Sequence, residues 1–307
     1  MNRRQWLQQS SLAALVLGAG RLPQAWSADD DATKQRRLLM YTRSAGFQHS
    51  VVKREGGKLS LAERLATELG KKHNIDVVCE KDGRIFESDE FPKFDGFLFE
   101  TQGDLLSEKC QDGSPPMSAA GKKALLAAVA AGKGFVGCHC ASDTFHSKGA
   151  RESGQPREQV DPYLVMLGGE FIRHGQQQKA WMRVIDAEFP GIKGQKDFEM
   201  HEEWYALKNF APDLHVILVQ DTAGMKNDMK NAMYHRPKYP ATWARLHEKG
   251  RVFFTSMGHR EDVWESKIMQ TLLAGALAWT LGRVEADVKP NLNVAAPKAS
   301  ELPMSKK

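Results

Sequence analysis

The first half of the chain alternates short apolar runs with amphipathic segments, and this alternation constrains the fold more than any other feature. The apolar runs are nearly continuous, which is typical of strands buried on both faces of a parallel sheet. Helical spacing of apolar residues fills the segments between them. We therefore predict an α/β fold with a doubly wound, mostly parallel sheet and helices on both faces. The predicted strands are 37–42, 75–79, 94–99 and 134–138, and the predicted helices are 59–72 and 118–131.

The second half of the chain is less regular. Apolar runs again predict strands, and Gly250 between two of them predicts a hairpin. We expect a single domain over residues 37–286. The predicted elements are strands at 180–185, 214–220, 241–246 and 251–256, followed by a last helix at 265–281.

The N-terminal segment, residues 1–27, has the layout of a signal peptide. Arg3 and Arg4 precede a short apolar run, and Ala25 and Ser27 supply small residues for a cleavage site. The paired arginines resemble a twin-arginine export signal. A frayed basic terminus or a single-pass anchor is the alternative, but the apolar run is too short to span a bilayer permanently. We expect a periplasmic or secreted protein with no permanent membrane anchor.

Two polar segments flank the domain. Residues 28–36 are predicted to be a linker. Residues 287–307 are rich in Pro, Ala and Lys with few bulky apolar side chains, and we expect a disordered tail there.

The net charge gives little indication of an anionic partner. The 307-residue chain has 43 Lys and Arg against 38 Asp and Glu, a formal charge of +5. Residues 1–27 hold three arginines and no acid, so 40 basic and 38 acidic residues remain without them. The rest of the chain has no basic stretch interleaved with aromatic residues, and we therefore expect no nucleic-acid partner. No feature indicates an oligomeric state.

The four cysteines do not form an obvious disulfide framework. Cys138 and Cys140 lie two residues apart at a predicted strand, where their side chains point to opposite faces. Cys79 and Cys110 could be paired in an exported protein or could be free thiols.

Histidines recur where predicted strands end. His49, His139 and His259 each follow an apolar run. Ligands of doubly wound sheets bind beyond the carboxyl ends of the strands. The three histidines are therefore candidates for one site.

The segment around His139 has the spacing of a nucleophile elbow. Gly137 and Ala141 stand two positions before and after the histidine, as a tight strand-to-turn connection requires. An imidazole at this position suits a general base, a proton shuttle or a metal ligand. The alternative is a glycine-containing turn with a surface histidine.

Two further clusters lie in the second half. His174 follows a Gly-Gly turn, and residues 201–205 combine an imidazole, two carboxylates and two aromatic rings. Carboxylates beside aromatic rings are typical of sugar sites, where the rings stack on sugar faces and the acids bind hydroxyls or move protons. A solvated loop with one anchoring tryptophan is the alternative.

Taken together, these motifs resemble the trehalose-utilization (ThuA-like) family over residues 37–283. The resemblance implies a flavodoxin-like fold related to class I glutamine amidotransferases and a role with carbohydrates, including oxidised (3-keto) disaccharides or glycosides. His139 occupies the place of the amidotransferase cysteine, which argues against glutaminase activity. The matching stretches are 46–50, 134–145, 163–171, His174, 202–205, 240–243 and 250–259.

We therefore predict an exported hydrolase or lyase that acts on a glycoside or 3-keto-sugar, with a divalent metal, zinc, as the only candidate cofactor. The alternatives are a non-catalytic sugar-binding protein, with Trp264 among its stacking residues, and a partner subunit of a periplasmic sugar oxidoreductase. The predicted catalytic residues are His139, Asp143 and Glu203, the substrate-binding residues are His49, Trp204, Tyr205 and Trp243, and the metal ligands are His139, His174 and His259.

Overall fold

The computed structural model describes residues 34–227 and 232–302. The predicted signal peptide and residues 28–33 of the predicted linker lie outside these residues. Within them, no helix combines the length and apolar character needed to cross a membrane.

Eleven strands and six helices make up the described residues. The strands are β1 (Arg36–Tyr41), β2 (Ile75–Glu80), β3 (Gly96–Phe99), β4 (Gly134–Cys138), β5 (Glu170–His174), β6 (Gln178–Val184), β7 (Phe198–Glu202), β8 (Tyr205–Lys208), β9 (His215–Asp221), β10 (Tyr239–His247) and β11 (Gly250–Thr255). The helices are α1 (Leu61–Lys72), α2 (Ala119–Ala130), α3 (Pro162–Leu167), α4 (Glu261–Glu265), α5 (Lys267–Thr280) and α6 (Leu292–Ala295).

Nine of the strands form one mixed sheet. Its order is β2-β1-β3-β4-β11-β10-β9-β6-β7, and β5 pairs with β8 in a separate antiparallel ribbon. The five strands from β2 to β11 run parallel, and β10, β9, β6 and β7 extend the sheet with antiparallel pairs. The predicted α/β class is confirmed, as are the predicted strands of the first half and the hairpin around Gly250.

A hydrophobic core covers each face of the sheet. Leu38 and Met40 of β1 belong to the core that includes α1 and α5. Leu39 and Tyr41 belong to the core that includes α2 and α3. Successive strand residues point to opposite faces, so nearly continuous apolar strands result when both faces are covered.

A capping box fixes the start of α1. The Ser60 hydroxyl accepts from the Glu63 backbone N–H, and the Glu63 carboxylate accepts from the Ser60 N–H. Glu63 is fully buried and also accepts hydrogen bonds from Thr42 and Arg54. Because Thr42 directly follows β1, this network ties the helix to the loop that carries His49.

The prediction of a disordered C-terminal tail is wrong for residues 287–302. This segment forms α6 and buries Ala295, Ala296 and Ala299. The Asn291 side chain bonds both backbone groups of Val216 on β9. Small alanine side chains can pack closely even though their composition resembles that of a disordered segment.

All four cysteines are free thiols. Cys138 lies in the core beside α1 and Cys140 in the core beside α2, as predicted from their spacing.

Candidate metal centre and its cavity

The predicted elbow is present at the end of β4. His139 has a φ of 37°, the left-handed conformation that side chains rarely adopt. A Cβ at Gly137 would lie 3.1 Å from both the Ala141 Cβ and Leu167 Cδ1, so the small residues permit this close turn. The turn buries the His139 side chain completely, which excludes the alternative of a surface histidine.

The hydrogen bonding of His139 determines its tautomer. Its Nδ1 lies 3.1 Å from the backbone oxygen of Ser256, which can only accept a hydrogen bond. Nδ1 therefore donates this hydrogen bond, and in the neutral imidazole the lone pair is on Nε2. Nε2 is buried without a hydrogen-bond partner among the described residues and lies 3.7 Å from Glu203 Oε2.

Four side chains converge around this lone pair. Potential ligand atoms of His49, His139, Glu203 and His259 all lie within 4.8 Å of one another. His49, His139 and His259 follow β1, β4 and β11, three parallel strands of the sheet. Glu203 comes from the connection between β7 and β8.

The charges in the cluster depend on one another. Burial opposes ionisation of Glu203, but the imidazoles of His139 and His259 outweigh it and hold its pKa well below the usual range. Burial also favours neutral His259, yet the contact with Glu203 raises the His259 pKa above 6.5. Burial and the neighbouring imidazoles of His139 and His259 lower the pKa of His49 to about 2, so His49 is neutral.

The cluster could hold a divalent metal ion. Three imidazoles and one carboxylate form a donor set that suits Zn²⁺. His49 Nδ1 and His139 Nε2 are buried nitrogens that lack a hydrogen-bond partner among the described residues, and His259 Nδ1 lies 3.1 Å from Glu203 Oε2. Metal-ligating histidines commonly donate their other N–H to a carbonyl, as His139 does to Ser256.

Glu202 positions the loop that follows β11 and carries His259. It is fully buried, and its Oε2 accepts from the backbone N–H groups of Gly258 and His259 at 3.0 and 3.2 Å. Thus the adjacent carboxylates have different environments, since Glu202 bonds to backbone groups and Glu203 faces the imidazoles.

A cavity of about 510 Å³ opens beside the cluster. Polar side chains and the aromatic rings of three residues form its wall. The lining residues are Phe47, His49, Gln102, Asp143, Arg151, Phe171, Arg173, His174, Glu203 and Tyr205.

Asp143 is the second carboxylate of the cavity. Gln102 Nε2 donates to its Oδ2 at 2.6 Å, and His146 Nε2 and Arg151 lie 3.3 and 3.5 Å from its Oδ1. Burial raises the pKa of Asp143, although the bond from Gln102 and the charges of its neighbours oppose the change. A carboxyl group with a raised pKa is suited to donate a proton.

A family model described as "Trehalose utilisation" (ThuA) matches residues 37–280. The chain belongs to the ThuA family. Among solved structures, a ThuA-like protein of Bacteroides uniformis is 16% identical with a TM-score of 0.55, covering 84% of this chain and 95% of its own. One from Parabacteroides merdae is 14% identical with a TM-score of 0.54, covering 87% and 100%. No curated protein matches the sequence significantly.

In this ThuA-family chain, two of the three residues predicted to bind metal lie in the four-residue cluster. His139 and His259 belong to the cluster, and His49, predicted to bind substrate, belongs to it as well. His174 lies outside the set, with 43% of its side chain exposed and its Nδ1 3.2 Å from Glu203 Oε1. Tyr205 lines the cavity, and its hydroxyl lies 3.5 Å from His49 Nε2.

The expectation that tryptophans contact the substrate is wrong. Trp204, Trp243 and Trp264 are fully buried. Their indole N–H groups donate to backbone oxygens of Gln178, Leu167 and Gly258. These rings fill the two hydrophobic cores and present no face to a ligand.

Gln102, Arg151 and Arg173 also line the cavity, and sequence reasoning missed them. Gln102 follows β3, so the rule that placed candidate residues at strand ends could have identified it. Arg151 lies in an irregular segment and Arg173 lies in the short strand β5. No motif marks either residue.

A larger surface depression is separate from this site. It measures about 1060 Å³ and lies between α2 and residues 157–165, with His247 at its edge. Its wall includes none of the four cluster residues, so it offers no access to the candidate metal centre.

Proposed function

We propose that the protein is an exported, zinc-dependent carbohydrate-active enzyme, a hydrolase or lyase that acts on a glycoside or 3-keto-sugar. The convergence of His49, His139, Glu203 and His259 beside a cavity that also contains Asp143 carries this proposal. The family description as trehalose utilisation supports a carbohydrate substrate.

The burial of His139 supports a ligand role for this residue. Its imidazole is fully buried, and its Nε2 faces the other cluster residues. Proton transfer is better assigned to Asp143 and His174, which both line the cavity.

The reaction begins with the acidic C2 hydrogen of a 3-keto-glycoside. A bound zinc ion would supply Lewis acidity that polarises the adjacent carbonyl. His174 accepts the C2 proton, and the freed electron pair forms a C1–C2 double bond as the C1–O bond breaks. Asp143 donates its proton to the departing oxygen, so that an alcohol leaves. Arg151 and Gln102 hold Asp143 in place for this step.

Turnover of a methyl 3-keto-glucopyranoside by the zinc-loaded protein tests this function. Asp143→Asn keeps the size of the side chain but removes its proton chemistry, so we expect kcat to fall about 10²–10⁴-fold while zinc stays bound. Asp76→Asn is the matched control, because Asp76 is half exposed on β2 in an ion pair with Arg37. Equal activity of Asp143→Asn and wild type would contradict the assigned role, and absence of wild-type turnover across glycosides and keto-glycosides would contradict the function.

Export is a separate part of the proposal and rests on residues 1–27. When the full chain is expressed in a host with a twin-arginine pathway, we expect the protein to appear in the periplasm or medium. Replacing Arg3 and Arg4 with lysine should retain it in the cytoplasm. Unchanged location of this double variant on cell fractionation would rule out the twin-arginine route.

A further inference from the structure

Phe47 is an exposed aromatic residue in an otherwise partly or fully buried loop. Its side chain is 64% exposed, whereas His49 in the same loop is buried. The ring lies in the wall of the cavity that contains Asp143 and Glu203. A single exposed aromatic side chain is ordinary on a protein surface, and what distinguishes Phe47 is its place in the wall of this cavity.

The loop beneath Phe47 is held firmly. Arg43 is fully buried, and its guanidinium donates to three backbone oxygens of residues 105–114. The Ala45 N–H donates to the backbone oxygen of Gln102 at 2.8 Å. The backbone that carries Phe47 is therefore fixed before any ligand arrives.

Gly46 links this loop to the acidic side of the cavity. A Cβ at Gly46 would lie 2.3 Å from Gln102 Oε1. Gln102 in turn donates to Asp143. The loop residue next to Phe47 therefore packs against the side chain that holds Asp143, and a glycine is needed for this close approach.

The other aromatic rings of the cavity offer little surface. Tyr205 is 2% exposed and Phe171 is 5% exposed. Among the described Phe and Tyr residues of the cavity wall, Phe47 is the exposed one, and the other exposed ring is the imidazole of His174, which we assign to proton transfer. The Phe47 and His49 rings form a T-shaped pair, with 5.0 Å between their centroids and 87° between their planes, which places Phe47 next to the metal cluster.

We propose that Phe47 is the stacking platform for the pyranose ring of the substrate. This inference rests on the proposed function and adds the residue that recognises the sugar ring. The face of a phenyl ring carries negative charge density, which attracts the polarised C–H bonds on one face of a pyranose. Because the loop is already ordered, contact costs little conformational entropy.

Steady-state kinetics of Phe47→Ala with a methyl 3-keto-glucopyranoside tests the platform. We expect KM to rise about tenfold, the loss of roughly one stacking contact, with kcat within twofold of wild type. Phe47→Trp should keep the wild-type KM, because it retains a ring face. Trp181→Ala is the control: Trp181 is 41% exposed on β6 and does not line the cavity. Zinc titration of Phe47→Ala should match wild type and show that the cluster is intact.

The outcomes separate the platform from the function. Unchanged KM in Phe47→Ala, with normal wild-type turnover, overturns the platform and leaves the proposed function standing. Equal loss in Phe47→Ala and Trp181→Ala overturns it as well, since the effect would not be specific to the cavity. Wild-type protein that neither binds nor converts any pyranoside overturns both.

Discussion

His139 illustrates how individual residues define this site. Its left-handed backbone, its complete burial and its bond to Ser256 together direct Nε2 towards Glu203. A histidine that served only to fill the core would not need a strained backbone conformation. The cluster as a whole holds one anionic carboxylate among imidazoles, an arrangement that a cation would stabilise further.

Metal affinity should depend on pH through His259. Only a neutral imidazole binds metal, and the contact with Glu203 raises the His259 pKa above 6.5. Protons therefore compete with the ion from somewhat above pH 6.5 downwards, and affinity should fall steadily as pH is lowered from about 8 to about 5.5. Calorimetry in buffers of different ionisation enthalpy should show proton release on zinc binding near pH 6.5. Affinity that does not change over this range would contradict the assignment of His259 as a ligand.

Residue types and spacing predict part of this site. The elbow spacing identifies His139, and the position after a strand identifies His49 and His259. The tryptophan assignments fail because proximity to carboxylates in sequence does not reveal which way a large ring points. Trp204 follows Glu203 directly, yet its ring is buried while the carboxylate faces the cavity. Phe47 escapes prediction because a lone aromatic residue in a loop has no distinguishing pattern.

At the scale of elements, the carboxyl ends of parallel strands bring distant residues together. The β4 and β11 strands are paired in register, with Thr255 opposite Cys138. The residues just beyond them, His139 and His259, therefore emerge at the same edge. Glu203 reaches this edge from the antiparallel extension, which explains why the first half of the chain alone could not complete the cluster.

Gly258→Ala tests how the loop after β11 holds the cluster. Gly258 has a φ of +135°, and an added Cβ would lie 3.3 Å from both Glu100 Oε2 and the His139 Cβ. We expect a loss of stability of about 1–3 kcal/mol and weaker zinc binding. Gly224→Ala is the control, because Gly224 has a φ of +79° and a Cβ added there would meet no heavy atom within 4 Å.

Urea denaturation and zinc titration measure both effects. Gly224→Ala should lose stability and keep wild-type zinc affinity. If Gly258→Ala also kept wild-type zinc affinity, the loop would not position the cluster in the way described.

Prediction of elements succeeds where the pattern is strong. The parallel strands are apolar throughout because both faces are covered, and the apolar runs mark their positions well. The strands β5, β7 and β8 are short and carry polar residues such as His201 and Glu202, so no apolar run marks them. Their pairing with other strands, rather than their own composition, makes them extended.

For the whole molecule, the C-terminal segment completes the core rather than trailing from it. Arg236 donates to the backbone oxygen of Ala299, and Asn291 bonds to Val216. These bonds join the segment to β9 and to the chain before β10. Composition alone could not predict this, because it does not show which alanine side chains are buried.

Removing residues 287–307 should therefore destabilise the protein. Lost hydrogen bonds and newly exposed apolar surface should lower the free energy of unfolding by about 2–4 kcal/mol. Val294→Ala is the control, because Val294 lies in the same segment and is 87% exposed, and this variant should unfold at the urea concentration of the full chain. Identical midpoints for all three chains would show that the segment contributes no stability.

The most direct test of the account is anomalous diffraction at the zinc edge from crystals of the zinc-loaded protein. We expect one strong peak enclosed by His49, His139, Glu203 and His259. That peak should disappear in crystals of Glu203→Gln and persist in those of Asp76→Asn. Zinc-saturated crystals with no peak among these four side chains would contradict the central claim that they form a metal site.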